Sequence, residues 1–541
     1  MRAGRMRAGR IVLATVLAVT LAGPGLHEPN STRAASDFPP GYEGFHTYAE
    51  LAAETAAMAA AHPSIVKRFS IGKSYQGREL WAMKISDNVG VDESEPEVLY
   101  DGGIHSDEHM GVEMTLAIMH WFVDGYGRDG RVTHIVDARE IWIVFNLNPD
   151  GSEYDITNGS FHHWRKNRQP TPGSTRIGTD LNRNFGYRWG GGGKTSTNPA
   201  AITYRGPSAF SAPEARALRD FLRSRVVGGR QQIRTHITFH EYARLVLWPY
   251  GYTRTNVPAD MTADDQAALV AIGKAMAKSN GYRPQQASDL YITSGTSRDY
   301  AYGTYRIFSY TFELSAVDYP KDTLIDSETG RNREAVLYLA ERAWCPLNVL
   351  GAVMTAARCG AFDDDLEVAR GWTIDPDAID TARASTSGRF SRANPSSTSS
   401  KGAKQLGTTT SGSIAFVTGA AAGSSSTSYD LDGSTSVRSP DILLPTGAGQ
   451  RLTFRYVFAH SASSTADDAF RAVIEGPTGA RTTVFTVHGR SIDVDGVWKS
   501  ASVPLDAWAG QSIRIRFEAV EGGRPNLLEV EVDDVRVTRP S

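Results

Sequence analysis

Residues 42–360 predict an α/β domain with a mixed sheet covered by helices, and residues 361–541 predict an all-β, jelly-roll-like sandwich. Three observations carry this reading. Before Gly360, short apolar runs alternate with segments of helical spacing. After Phe362 the chain turns rich in Ser, Thr and Gly, and strand-like runs follow one another with turn signals between them. At 541 residues the chain is too long for one core, so two or three domains are expected.

The elements follow in order. Met1 to Arg10 carries four arginines and no acid, and Ile11 to Ala22 is a short apolar run. A basic segment before a short apolar one reads as a secretory signal over residues 1–35, with cleavage after Ala22 or Ala35. A membrane anchor is the alternative, but the run is shorter than the ~20 residues a bilayer requires. With no second apolar stretch of that length, the mature chain is expected to be extracellular and free of the membrane. Lys and Arg number 57 against 60 Asp and Glu, so no basic footprint points to nucleic acid. Glu97 to Tyr100 and Glu140 to Leu147 read as buried strands, and His109 to Val123, Ala212 to Arg225 and Ala335 to Trp344 as helices. Leu347 to Arg358 reads as one more helix, with Pro346 at its start. At ~1.5 Å per residue it separates Cys345 from Cys359 by roughly 20 Å. A disulfide needs Cα atoms within about 7 Å, so two free buried thiols are expected. In the sandwich, strands are expected at Gly371 to Thr373, Ser413 to Thr418, Leu452 to Phe458, Thr482 to Val487, Ser512 to Ala519 and Leu528 to Val537. The stretch from Ala382 to Gly412 is read as loops within the sandwich rather than as a linker.

The chemistry lies in residues spread from His105 to Glu313. His105-Ser106-Asp107-Glu108 follows Gly102-Gly103-Ile104 at a strand-to-helix turn. His240 ends the β-rich run Ile233 to Phe239, at the strand end where open α/β sheets place ligands. Two imidazoles and a carboxylate with one position left open suit a catalytic zinc. Glu313 sits in the apolar run Tyr310 to Leu314, where an inward-facing acid is costly unless it has a task. His-x-x-Glu alone recurs by chance. The ordered constellation gives it weight.

The segments GGIHSDEHMGVEM, WRKNR, GTDLNRNF, TFHEY with WPYGY, and LYITSGTSRDYAYGTYRIFSYTFEL resemble the zinc metallocarboxypeptidases: the pancreatic carboxypeptidases A and B and bacterial carboxypeptidase T. The resemblance runs from about Tyr42 to Arg358 and implies the zinc carboxypeptidase fold with one Zn2+ per chain. It implies that His105, Glu108 and His240 bind the metal and that Asp180 accepts a hydrogen bond from His105. Glu313 matches the general base, which takes a proton from the attacking water and delivers it to the leaving amine. Arg168 matches the arginine that binds the oxyanion, and Arg165 a residue of the outer binding subsites. Asn182, Arg183 and Tyr291 match the group that holds the substrate's free α-carboxylate, with Tyr291 closing over it. The implied partner is therefore a peptide or protein with a free C-terminus, and the implied enzyme an exopeptidase.

By the same alignment Arg298 occupies the floor of the pocket for the C-terminal side chain. Thr238, Gly251, Gln286, Leu290, Thr293 and Thr311 complete that pocket. An arginine there implies preference for C-terminal Glu or Asp, unless it turns away to pair with an acid such as Asp289. Two departures stand out. Asp107 replaces the family's usual Arg, and Glu241 replaces a small polar residue. The matched region starts soon after Ala35, so no inhibitory pro-domain is expected. A monomer is expected. The sandwich resembles domains appended to secreted bacterial zinc carboxypeptidases, and its ligand stays open. Asp363-Asp364-Asp365 or Asp533-Asp534 could hold structural Ca2+ through oxygen ligands. Two rival readings are a cell-wall stem-peptide peptidase and a non-catalytic, zinc-containing peptide-binding protein.

Overall fold

The computed structural model describes residues 37–538 apart from 94, 228, 352–353, 356–358, 360, 368, 384–386, 422–429 and 524. The expected signal segment lies outside the described residues. The first part of the chain builds an eight-stranded sheet. Its strands are β1 (Val66–Lys73), β2 (Glu79–Ile85), β3 (Glu97–Asp101), β4 (Glu140–Val144), β5 (Ile233–Glu241), β6 (Leu245–Trp248), β7 (Arg283–Gln286) and β8 (Phe308–Leu314). They lie in the order β1-β2-β4-β3-β5-β8-β6-β7. The central run β4-β3-β5-β8 is parallel, while β1-β2, β2-β4 and β8-β6 are antiparallel. The sheet is therefore mixed, as expected.

The apolar runs at Glu97 and Glu140 become central strands because both of their faces are covered. Every residue of β3 and β4 is buried. Val98, Tyr100, Ile141 and Ile143 share one core with Met114, Ile118 and Phe122 of helix α1 (Met110–Gly125). Leu99, Trp142 and Val144 share the opposite core with Ala215, Leu218 and Leu222 of helix α2 (Pro213–Ser224). Successive strand residues point to opposite faces, so a strand sandwiched between helices must be apolar at every step.

The second part forms two six-stranded antiparallel sheets over a separate core. In one, Leu528–Thr538 pairs with Arg451–His460, Ala415–Thr418 and Phe362–Asp364. In the other, Ser512–Val520 pairs with Ser434–Arg438, Ala469–Glu475 and Ile442–Leu443. The strand expected at Gly371 to Thr373 is Thr373–Ile374, and Phe362–Asp364 precedes it. The segment after Ala382 contributes the strand Phe390–Ala393. It also contributes Lys404, fully buried between Asp493 (2.8 Å) and Asp495 (2.7 Å). No helix among the described residues is long and apolar enough to cross a membrane.

The expectation of two free thiols is wrong. Cys345 and Cys359 form a disulfide, with Cα atoms 5.7 Å apart. The run that follows Pro346 is not one straight helix. A 3₁₀ turn, Pro346–Leu350, ends at Gly351, whose φ of 99° turns the chain, and new hydrogen bonds start from the Gly351 carbonyl. A residue without Cβ takes this conformation without strain, so the 20 Å rod never forms. The bridge spans a sequence separation of 14. Replacing both cysteines by serine should cost about 3 kcal/mol, the value for a closed loop of that size, read from urea unfolding. Thiol titration of the unfolded, unreduced wild type should find no free thiol.

Candidate metal centre and substrate site

The site begins where β3 ends. A Cβ on Gly102 would lie 2.2 Å from the Gly111 carbonyl oxygen. Glycine there lets the start of α1 close onto the strand, which fixes the turn carrying His105 and Glu108. The parallel pairing of β5 with β8 then sets Glu313 opposite His240 and Thr311 opposite Thr238. Paired residues of parallel strands share a face, so these four side chains line one side of the sheet at its C-terminal edge.

Three donor atoms converge there. His105 Nδ1 lies 2.8 Å from one Glu108 carboxylate oxygen, and His240 Nδ1 lies 2.9 Å from the other. The two Nδ1 atoms are 3.0 Å apart. All three residues are buried. On the far side of the first ring, His105 Nε2 lies 3.2 Å from Asp180 Oδ1. That contact keeps the proton on Nε2 and turns the Nδ1 lone pair inward. The His105 Nδ1 lone pair thus faces His240 Nδ1 and the Glu108 carboxylate at distances that let all three share one ion. Two nitrogens and a carboxylate oxygen fit zinc. Burial pushes the Glu108 carboxyl up, but the charges of His105 and His240 outweigh it and hold the group well below its usual range.

Of the two arginines of WRKNR, Arg165 and not Arg168 reaches the donor cluster. The Ser106 N–H donates to the Arg165 carbonyl (3.2 Å), which ties residue 165 to the ligand turn. Arg165 Nη1 donates to Glu108 (2.9 Å), and its Nε approaches Asp180 (3.4 Å). Arg168, expected at the oxyanion, instead lies over the rings of Tyr154 and Trp164, at 3.5 and 4.4 Å. It does not join the ligand cluster.

Asn182 and Arg183 follow Asp180 on a short 3₁₀ turn. The Asn182 amide nitrogen faces His240 Nε2 at 3.3 Å, and its oxygen accepts the Ser297 N–H (2.9 Å). Arg183 is 2% exposed, and its Nε and Nη1 donate to the carbonyls of Lys194 (2.6 Å) and Asn182 (2.8 Å). The guanidinium is thus aimed by neutral acceptors, and among the described residues no carboxylate pairs with it. The half-buried Tyr291 has its ring 6.0 Å from that guanidinium carbon. Glu313 is half-buried. Burial, then the Glu108 charge, raise its carboxyl well above the usual range, with Arg165, Arg298 and Arg183 opposing.

Arg298, expected at the pocket floor, is buried, and its partner is not Asp289. Its Nη2 and Nε donate to Asp299 Oδ1 (2.9 and 3.1 Å), and its Nη1 donates to Thr311 (3.1 Å). The other Asp299 oxygen accepts the Gly251 N–H (2.8 Å). The sequence reading missed Asp299. The signal was an acid beside the arginine at a helix start, where Thr296 caps its N–H. Glu241 has a local use: the helix α1 N-cap, His109, makes no side-chain cap bond, and the Glu241 carboxylate accepts the Met110 N–H in its stead. Burial and the Glu108 charge push Asp107 up to about 6.

The acid clusters proposed for calcium are occupied by the protein. Asp363 pairs with Arg536 (3.0 Å), Asp364 accepts from Trp372 Nε1 (2.8 Å), and Asp365 accepts the Glu367 N–H (3.2 Å). Asp533 accepts the Thr410 N–H and hydroxyl (both 2.9 Å). Among the described residues, no three metal-type donors gather at either cluster.

A mixed α/β sheet with a His, Glu, His donor set at its C-terminal edge defines a zinc-dependent hydrolase, and comparison with known proteins agrees. The zinc carboxypeptidase family model matches residues 51–335. A zinc carboxypeptidase of Saccharothrix mutabilis subsp. capreolus is 46% identical over 320 residues, 58% of this chain and 73% of that protein. Carboxypeptidase A1 of Sus scrofa is 34% identical over 50% of this chain and 63% of that protein. The crystal structure of thrombin activatable fibrinolysis inhibitor superposes with a TM-score of 0.51 at 26% identity, covering 55% of this chain and 74% of that one. The chain belongs to the zinc carboxypeptidase family.

Asp180→Asn should weaken zinc binding roughly 10- to 100-fold. Chelator competition on the variant, with circular dichroism as a control for folding, reads this directly.

Proposed function

We propose that residues 42–360 remove the C-terminal amino acid from peptides and proteins, with residues 361–541 as an accessory domain. The observation that carries this is a buried guanidinium without a carboxylate partner, Arg183, beside the donor cluster. Its neutral acceptors aim it without cancelling its charge, so it suits a substrate α-carboxylate through charge-assisted bonds. Anchoring that carboxylate positions the last amide and no other. When bound, zinc supplies a Lewis acid that polarises the carbonyl and acidifies water. Glu313 takes the proton of the attacking water and passes it to the leaving amine. A carboxyl raised by burial is suited to both steps near neutral pH. Arg165, held by Glu108 and Asp180, takes the oxyanion role in place of Arg168. Tyr291 closes over the substrate.

The pocket reading is preference for C-terminal Glu or Asp. Arg298 keeps Nη1 on Thr311, inside the pocket, while Asp299 holds the other edge of the fork. The basic start and short apolar run support export and action outside the cell. A stem-peptide substrate fits the same acid-reading pocket. A non-catalytic binding role is disfavoured because the three ligands, Arg183 and Glu313 are all present.

Glu313→Gln should lower kcat by ~10²–10⁴ while retaining stoichiometric zinc. In the same assay on a short peptide, Arg165→Ala should cost ~10²–10³ in kcat and Arg168→Ala only a few-fold. Retained activity in Glu313→Gln would end the proposed mechanism. A second assay compares wild type and Arg298→Ala on peptides ending in Glu and in Leu. The Glu:Leu ratio of kcat/KM should fall at least ~10-fold, the scale of a charge-assisted bond. An unchanged ratio removes the acidic preference.

A further inference from the structure

A cavity of about 290 Å³ lies where the peptidase meets the sandwich. Its peptidase wall comes from the helices Gly130–Asp137 and Arg333–Arg342 and from Pro96 and Arg139, the residues just before β3 and β4. Its sandwich wall comes from the strands Phe362–Asp364 and Leu528–Thr538 and from the residues that follow the first of them. β3 and β4 begin at this cavity, whereas the metal donors stand past the other end of β3. The cavity is therefore remote from the zinc centre, at the opposite edge of the sheet.

The lining is charged, and its pairing is incomplete. Asp363 holds Arg536 (3.0 Å), Asp364 lies 3.7 Å from Arg370, and Glu341 is taken by Arg131 (2.6 Å) from outside the cavity. Four groups are left over. Among the described residues, Arg139 donates only to the neighbouring Ala138 carbonyl, and Arg342 only to the Asn348 side chain (3.4 Å). The Nε of each is buried without a partner. On the acid side, Glu95 is 4% exposed with its Oε2 unpartnered, and Asp365 accepts the Glu367 N–H (3.2 Å) and no cation. Burial works against the charge of Arg139, and Asp363, Glu95 and Asp365 act on it from beyond ion-pair distance. Charges held away from water without partners are costly.

Two spare guanidiniums and two spare carboxylates around one small cavity suit a guest that carries both charges. A plain anion would meet the acids there, and a plain cation the arginines. We propose that this cavity binds a free α-amino acid, its carboxylate on Arg139 and Arg342 and its ammonium on Asp365, with Glu95 adding to the negative side. Pockets for drug-sized ligands start at ~300 Å³, so the volume limits the guest to about this size. Trp344 and Ile135 supply apolar surface for its side chain. Arg139 and Arg342 belong to the peptidase and Asp365 to the sandwich, so the guest ties the two together. The charges alone select this ligand. That it is also the class of product released at the zinc centre rests on the exopeptidase reading.

The test titrates the full-length, zinc-loaded protein with L-leucine by calorimetry. Arg183 is assigned the same carboxylate at the active site, so Arg183→Ala is the background that isolates the cavity. Leucine should bind Arg183→Ala and raise its Tm by about 3 °C at saturation. Adding Arg139→Gln or Asp365→Asn should weaken that binding at least ~10-fold, and the second covers the case where the first fails to fold. Acetate and methylammonium, each carrying half of the guest's charge, should bind at least ~10-fold more weakly than leucine. No leucine binding to Arg183→Ala, or binding that neither added substitution weakens, overturns the site. Acetate binding as tightly as leucine overturns the zwitterionic guest. Wild type binding no more leucine than Arg183→Ala, with that binding lost in Arg139→Gln, supports the cavity and counts against Arg183 as the active-site anchor.

Discussion

Two imidazole nitrogens held 3.0 Å apart, with a carboxylate oxygen beside each, form the arrangement on which the rest of the catalytic half depends. Its donors all point to one place. Shared by one cation, it becomes an attractive cluster. The fold supplies the rigidity that keeps it from relaxing. Gly102 brings α1 onto the end of β3, the β5–β8 register sets His240 beside Glu313, and Asp180 locks the first ring from behind. Each is a backbone or buried constraint, which a loop-built site would lack.

Around that cluster the chain distributes charge unevenly. Arg165 is held by two acids, Arg298 by one, and Arg183 by none. A guanidinium oriented by neutral carbonyls keeps its full attraction for an incoming anion, whereas acid partners hold Arg165 and Arg298 firmly in place and offset part of their charge. The unusual acids follow a similar division. Glu241 is absorbed as a surrogate helix cap, while Asp107 keeps a buried oxygen without a partner.

Much of this was legible in the chain. The apolar runs at Glu97 and Glu140 announced strands buried on both faces, and the ordered His, Glu, His and Glu positions announced the centre. The failures have specific causes. Arg165 and Arg168 stand three residues apart in one loop, and nothing in WRKNR says which turns inward. The decision belongs to the Ser106 amide on one side and the stack on Tyr154 and Trp164 on the other. The disulfide was missed because propensity extended a helix through Gly351. Asp299 was passed over because its importance depends on Gly251, distant in sequence.

What the sequence by itself determined is the chemistry available: which donors exist, which segments must be buried, and where composition shifts from one domain to the next. These are properties of residue type and short-range spacing, and they survive without coordinates. What only the tertiary structure decided is pairing: which arginine meets Glu108, which acid steadies Arg298, and which carboxylates are left without a counter-charge. Pairing is set by directions of approach between segments far apart in the chain. Those directions follow from strand register and helix packing, which no local pattern encodes.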